Sequence, residues 1–222
     1  MIPVKICGIT NLEDAQAAVR SGASALGFIF YDKSPRYIPM ETAYQIAADI
    51  QGQVPLVGGF VDETLDYVHG VAEEIGLNFI QLHGNESPAY CQEIHFPVIK
   101  VFRVSSDFNA GIIKSYNVHA FLFDTYKKDK FGGTGEVLNW DKVRNLKIDT
   151  PIILSGGLNM ENIESGIDTV CPSAVDVNSG VESKPGMKDG IKIISLFKIL
   201  KNTKSSKNPF EIPAVHGDNN GL

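Results

Sequence analysis

The sequence predicts an α/β fold in which eight parallel strands close into a (β/α)8 TIM barrel. Three observations support it: eight short runs rich in β-branched and aromatic residues, longer segments of helical period between them, and a length of 222 residues. Alternating strands and helices are typical of parallel βαβ units, and single-domain barrels have about 200 residues or more. The predicted strands are 4–8, 25–30, 55–60, 79–84, 97–104, 120–125, 151–157 and 174–180. Periodicity alone leaves an open, doubly wound sheet as the alternative.

Helix-start signals fall between these strands, as a barrel requires. Asn11 and Asp62 both precede acidic residues, which suit the positive end of a helix dipole. Pro88 lies where the first turn of a helix tolerates proline. Apolar residues three and four apart predict the buried stripes of the third and eighth helices. These stripes are Leu65, Val68, Val71, Ala72 and Ile75, and then Ile191, Ile194, Leu196 and Ile199.

The chain divides into one barrel domain over residues 1–202 and an appended, flexible C-terminal tail over residues 203–222. The eighth helix should end near Asn202. The residues beyond it include two prolines and two glycines and have no amphipathic period. Such a composition is typical of a mobile segment.

Composition excludes several classes of partner. The net charge is −6, so there is no basic excess to neutralise the phosphates of a nucleic acid. No apolar run approaches the roughly 20 residues that span a bilayer, and the first residues do not resemble a secretion signal. The three cysteines are an odd number without metal-like spacing. We therefore expect a cytoplasmic protein with reduced thiols, no metal site, no nucleic-acid partner and no membrane partner.

Polar residues gather at the C-terminal ends of the predicted strands, where barrels of this class build their active sites. Side chains alternate along a strand, so the apolar neighbours of these residues identify which polar side chains point to the barrel axis. The inward-pointing polar residues are Lys5, Cys7, Gln81, His83, Asp124 and Asp176. Alone, each also fits a structural role, since a strand cysteine is usually a small apolar residue and a strand-end aspartate often caps a helix. Because these residues lie at the same end of their strands and on the same face, we favour a functional site.

Glycine-rich turns supply the second half of this site. They follow the sixth, seventh and eighth strands, at 132–135, 155–157 and 178–180. Glycines let bare backbone N–H groups converge on an anion, and a following helix N-terminus adds its dipole. The loops after strands seven and eight are where such barrels commonly hold a phosphate, so we predict a phosphate site at the C-terminal face. Tight turns without a ligand are the alternative.

Arg36 lies at the same rim, in the loop after the second strand. Its planar guanidinium suits a carboxylate or a phosphate. A solvated surface arginine is the alternative.

Seven segments, in order and with compatible spacing, resemble the signature of the phosphoribosylanthranilate isomerase family of tryptophan biosynthesis. They are VKICGIT (4–10), SPRYI (34–38), QLHG (81–84), FDT (123–125), GGTGE (132–136), SGGLN (155–159) and AVDVNSGVE (174–182). The resemblance covers residues 1 to about 202. It implies an Amadori rearrangement of N-(5-phosphoribosyl)anthranilate to 1-(2-carboxyphenylamino)-1-deoxyribulose 5-phosphate.

The resemblance also implies roles for individual residues. Cys7 matches the general base of the family and Asp124 matches its general acid. Arg36 would hold the anthranilate carboxylate, and the glycine turns after strands seven and eight would hold the phosphate. The full set of candidate substrate-binding residues is Arg36, His83, Gly133, Gly156, Gly157, Asp176, Ser179 and Gly180.

The implied partner is a small-molecule phosphorylated aminosugar. No cofactor is expected, because the imine of the substrate itself serves as the electron sink. The oligomeric state, monomer or homodimer, is open. Three other functions are possible: a histidine-pathway isomerase with the same chemistry, a thiol protein that uses Cys7, and a non-catalytic barrel that binds a phosphate ligand. The first typically has an aspartate in place of Cys7, and the second lacks a nearby partner cysteine.

Overall fold

A computed structural model describes residues 1–105, 107–124, 140–205 and 207–212 of the chain. Eight strands form a closed barrel in which each strand pairs in parallel with the next, and the eighth pairs with the first. The strands are β1 (Val4–Cys7), β2 (Ala25–Ile29), β3 (Leu56–Phe60), β4 (Phe79–Leu82), β5 (Val98–Arg103), β6 (Ala120–Asp124), β7 (Ile152–Ser155) and β8 (Ala174–Val177). The barrel prediction is confirmed, and the open sheet is wrong.

Helices lie between the strands around the outside of the barrel. Those of the described residues are α1 (Leu12–Ser21), α2 (Met40–Asp49), α3 (Leu65–Ile75), α4 (Pro88–Glu93), α5 (Trp140–Arg144), α6 (Ile163–Val170) and α7 (Gly190–Leu200). Between β5 and β6 stands a 3₁₀ helix, Ala110–Ser115, and a second one, Ser179–Val181, follows β8. A short antiparallel hairpin of β9 (Glu182–Lys184) and β10 (Met187–Lys188) then leads into α7.

The start of α1 follows the sequence prediction, whereas the start of α3 does not. The side chain of Asn11 caps α1, and α4 begins at Pro88, as predicted. In α3 the cap is Thr64. Asp62 instead adopts a positive φ of 53° and accepts hydrogen bonds from the backbone and side chain of Asn85. Asp62 therefore stabilises a loop and does not cap α3.

The predicted alternation of side chains along the strands is confirmed. Outward residues such as Val4, Ile6, Phe121 and Phe123 belong to the core between strands and helices. A separate inner cluster fills the barrel itself. Its members are Ala25, Val57, Phe79, Ile99, Val101, Ala120, Leu122, Ile153, Ala174 and Phe210. Toward the C-terminal ends of the strands, polar residues replace this apolar filling, and that change places a site at one end of the barrel.

The buried stripe of α3 is confirmed, and that of α7 is wrong at Ile191 and Ile194. Val68, Val71, Ala72 and Ile75 are buried. In α7 the buried residues are Ile193, Leu196, Phe197 and Leu200, whereas Ile191 is 78% exposed. Because α7 is apolar on most sides, spacing alone did not identify the face that packs against the barrel.

Part of the C-terminal segment packs against the barrel. Phe210 is only 1% exposed and meets Phe79 edge to face, with 6.3 Å between ring centroids. The carbonyl of Pro209 lies 2.8 Å from Nε2 of His119. The described residues up to Ile212 therefore include an anchored aromatic side chain, while the flexibility of the tail as a whole stays a prediction. In the part of the chain that the structure describes, no helix is long and apolar enough to cross a membrane.

Candidate active site

A cavity of about 450 Å³ opens at the C-terminal ends of the strands. It brings together most of the predicted site residues, from β1, β6, β8 and four loops. Those that line it are Cys7, Arg36, His83, Asp124, Gly156, Gly157, Asp176 and Ser179. Gly180 is the next residue after Ser179 and is not part of the lining. Gly133 lies outside the described residues.

A buried ion pair between Lys5 and Asp176 lies next to the thiol of Cys7. Lys5 and Asp176 are register partners on β1 and β8, and Lys5 Nζ lies 2.6 Å from Asp176 Oδ1. Lys5 is fully buried, and Ser155 Oγ donates a hydrogen bond of 3.1 Å to Asp176 Oδ2. A Cβ atom on Gly27 of β2 would lie 2.9 Å from both Cys7 Sγ and Lys5 Cε. The thiol and the lysine chain therefore fill the space above the same glycine, which explains why a side chain is absent there.

Burial and the neighbouring charges oppose each other at Cys7. Burial raises the pKa of the Cys7 thiol above its usual value, Lys5 lowers it, and Asp176 raises it. Burial also disfavours the charged form of Lys5, but Asp176 and Cys7 offset this, and the pKa of Lys5 is raised. Lys5 therefore stays an ammonium at neutral pH, and most of the thiol is protonated.

Asp124 and His83 lie next to each other in the cavity lining. Asp124 ends β6 and is a register partner of Arg103 on β5 and Ser155 on β7. His83 follows β4, and its Nε2 lies 3.7 Å from Asp124 Oδ2. Burial lowers the pKa of His83, Asp124 raises it, and Arg103 lowers it, with a net lowering. The lowered pKa keeps the imidazole of His83 neutral at pH 7, where one ring nitrogen can donate a hydrogen bond and the other can accept one.

Arg36 is held by an ion pair that the sequence analysis did not predict. Its Nε donates to Glu182 Oε1 at 2.8 Å, and its Nη2 donates to Glu182 Oε2 at 2.7 Å. The Arg36 side chain is only 20% exposed, so the solvated surface arginine is the wrong alternative. This side-on pairing fixes the plane of the guanidinium at the cavity wall.

The two glycine turns, after β7 and β8, meet closely. Gly156 and Gly157 have φ of 98° and 68°, a region that favours glycine. A Cβ on Gly180 would overlap the carbonyl oxygen of Leu158, so the loops after β7 and β8 touch through their backbones. The helix that follows β7 begins only at Ile163, and therefore the dipole expected next to these glycines is not adjacent to them.

Three functional candidates were missed by the sequence analysis. Glu182 is the last residue of the segment AVDVNSGVE (174–182), but nothing in the sequence spacing indicates that it pairs with Arg36. Arg103 lines the cavity, and the inward parity of Ile99 and Val101 on its strand could have revealed it. Gln81 was placed inward without a role. Its Oε1 is buried and has no hydrogen-bond partner among the described residues, and the residue lines the cavity.

Comparison with known proteins identifies similar chains. Residues 4–199 match the family model described as N-(5'phosphoribosyl)anthranilate (PRA) isomerase. An N-(5'-phosphoribosyl)anthranilate isomerase of Geobacter sp. (strain M21) is 47% identical over 193 residues, which cover 87% of this chain and 95% of the relative.

Solved structures give the same result at the level of the fold. The phosphoribosyl anthranilate isomerase of Thermotoga maritima is 42% identical with a TM-score of 0.81, covering 91% of this chain and 100% of the other. A second structure is 40% identical with a TM-score of 0.74 and the same coverage. It is a phosphoribosyl anthranilate isomerase in complex with reduced 1-(o-carboxyphenylamino)-1-deoxyribulose 5-phosphate.

Proposed function

The chain belongs to the N-(5'-phosphoribosyl)anthranilate isomerase family, and from this premise we propose how its residues perform the reaction. The protein is an isomerase of tryptophan biosynthesis that converts N-(5-phosphoribosyl)anthranilate to 1-(2-carboxyphenylamino)-1-deoxyribulose 5-phosphate. Cys7 is its general base and Asp124 its general acid. The observation that carries this assignment is that the thiol and the carboxyl group line one cavity from strands separated by β7 and β8.

Asp124 starts the reaction by donating a proton to the ring oxygen of the ribose. The C1–O bond breaks, and the nitrogen lone pair forms a protonated imine with C1. The thiolate of Cys7 then removes the proton from C2, and the electron pair moves through C1 to the nitrogen to give an enolamine. Tautomerisation of the enolamine yields the ketone. Each acid or base step is expected to contribute about 10²–10⁴-fold to the rate.

The raised pKa of Cys7 is compatible with this role because the charge of the intermediate changes the balance. Burial keeps the thiol protonated in the free enzyme, while Lys5 favours the thiolate. The protonated imine adds a second positive charge next to the sulfur once the ring has opened. The base is therefore strengthened at the step that needs it.

The remaining candidates bind the two ends of the substrate and its sugar. Arg36 takes the aromatic carboxylate, a planar anion that matches a guanidinium. Gly156, Gly157, Ser179 and Gly180 hold the phosphate through backbone N–H groups, in the two loops that commonly do so in barrels. The cavity-lining side chains His83 and Asp176 bind the sugar. Gly133 is proposed only on the family motif.

The ligand is a small phosphorylated aminosugar, as in the relative with the bound reduced analogue. No cofactor takes part in this scheme, because the imine accepts the electrons and returns them within one molecule. We place the protein in the cytoplasm without nucleic-acid or membrane partners. Its oligomeric state is monomer or homodimer.

Two variants test the mechanism. Cys7→Ala and Asp124→Asn should each lower kcat by about 10²–10⁴-fold in a fluorescence assay with freshly generated substrate. Both should still bind the reduced product analogue, because neither side chain is assigned to the carboxylate or the phosphate. Retained turnover in both variants would rule the mechanism out.

The histidine-pathway substrate serves as the comparison in the same assay. It carries two phosphates, whereas the glycine turns provide one predicted phosphate site. The wild-type protein should therefore convert phosphoribosylanthranilate with much the higher kcat/KM. Equal values of kcat/KM for the two substrates would overturn the assignment of phosphoribosylanthranilate as the single substrate.

A further inference from the structure

We propose that Glu182 is a positioning residue, which fixes the orientation of Arg36 for the aromatic carboxylate of the substrate. This inference rests on the proposed function, in which Arg36 binds that carboxylate. Glu182 does not line the cavity itself. It acts through the bidentate pair with Arg36, at 2.8 and 2.7 Å.

Glu182 is a rigid anchor because groups other than Arg36 also hold its carboxylate. Lys188 Nζ donates to Glu182 Oε1 at 3.0 Å, and the backbone N–H of Gly186 donates to the same oxygen at 3.2 Å. The Glu182 side chain is 4% exposed. Burial alone would raise the pKa of Glu182, but the hydrogen bond from Arg36 and the charge of Lys188 lower it, so the carboxylate stays ionised.

The hairpin of β9 and β10 carries this anchor and is tied to the rest of the barrel. Lys188 also donates from Nζ to Asn178 Oδ1 at 2.9 Å, in the loop after β8. Its backbone N–H donates to Asp14 Oδ2 in α1 at 2.7 Å. Thr10, after β1, donates to the carbonyl of Gly186. Bonds to three parts of the barrel therefore define where the Glu182 carboxylate stands.

The pairing uses one edge of the guanidinium and thereby sets the direction of the other. Glu182 accepts from the Nε–Nη2 edge of Arg36, and the Nη1–Nη2 edge of a planar guanidinium faces a different direction. A ligand carboxylate that uses this second edge does not have to displace Glu182. Glu182 therefore orients Arg36 and does not compete for it.

The test measures the preference for a carboxylate, which a general loss of structure would not change. The reduced product analogue is prepared in two forms, from anthranilate and from aniline, so that they differ only in the carboxylate. The ratio of their inhibition constants reports the contact with Arg36. We expect Glu182→Gln to reduce this ratio about tenfold, because an amide offers one acceptor oxygen and turns an NH2 group toward the guanidinium. Arg36→Met should reduce it at least as much, and adding Glu182→Gln to that variant should have no further effect.

Two other variants keep the test decisive. Glu86→Gln is the matched control, since Glu86 is also buried, pairs with Lys100 at 2.7 Å and accepts from two backbone N–H groups. It should leave the ratio unchanged. If Glu182→Gln does not fold, Lys188→Met removes the anchor of Glu182 without touching Arg36 and should lower the ratio in the same direction.

The outcomes separate this inference from the proposed function. A wild-type protein that does not prefer the carboxylated analogue would contradict the role of Arg36 itself, and both proposals would fail. A wild-type preference that persists in Glu182→Gln and Lys188→Met would overturn only the role of Glu182. Equal weakening of both analogues in these variants would also overturn it, because that result indicates a structural role alone.

Discussion

Replacement of Phe210 by alanine should destabilise the barrel without changing its activity. The ring is 1% exposed and belongs to the cluster that fills the barrel, at the end away from the cavity. An aromatic side chain buries about 150–250 Å², which at about 25 cal/mol/Å² corresponds to about 4–6 kcal/mol. Measured Phe→Ala changes in protein cores lie at about 3–5 kcal/mol.

The lower part of this range is the expected loss, because Phe210 lies on a terminal segment. The variant can release the segment, and the loss therefore cannot exceed the free energy that docks it. We expect a decrease of about 3 kcal/mol in the free energy of unfolding. For a chain of this size, about 2–4 °C per kcal/mol gives a decrease in Tm of about 6–12 °C.

Urea and thermal unfolding of the wild type and two variants measure this effect. Ile212→Ala is the matched control, since Ile212 stands two residues further along and is 58% exposed. Its effect should stay within about 0.5 kcal/mol. The kcat/KM of Phe210→Ala should equal that of the wild type well below its Tm. If Phe210→Ala and Ile212→Ala lower the free energy of unfolding by the same amount, the ring does not stabilise the barrel, and the reasoning from its burial is refuted.

Two further predictions concern the site. Gly180→Ala should cost about 1–3 kcal/mol and raise the KM for the phosphorylated substrate, because its Cβ overlaps the carbonyl of Leu158, whereas Gly190→Ala, with open space around it, should change neither. Lys5→Met should move the rise of kcat/KM with pH to higher pH, because Lys5 lowers the pKa of Cys7 and its removal raises that pKa further. A KM unchanged in the first variant, or a pH profile unchanged in the second, would contradict these assignments.

The sequence was sufficient for the fold because local patterns repeat around a barrel. Each strand carries its own alternation, so Cys7, Asp124 and Asp176 could be placed on one face without knowledge of the neighbouring strands. Parallel strands in a closed barrel end at a common rim, which then brought these residues to one cavity.

The contacts that escaped the sequence analysis join residues far apart in the chain. Arg36 and Glu182 meet only because the loops after β2 and β8 approach each other across β1, and neither residue has a local pattern that indicates its partner. Phe210 is a single aromatic residue in a segment without periodicity, so its burial could not be inferred from spacing. In α7 the excess of apolar residues hid the packed face, and Ile191 was assigned to the wrong side.

The central claim is that Cys7 removes the proton from C2 after Asp124 has opened the ring, and a kinetic isotope effect tests it most directly. The substrate is prepared with deuterium at the second sugar carbon, and kcat/KM is compared with that of the unlabelled compound. Cys7→Ser should increase the isotope effect, because proton removal becomes slower, while Asp124→Asn should bring it close to unity, because ring opening then limits the rate. The reverse pattern would contradict the assignment of base and acid.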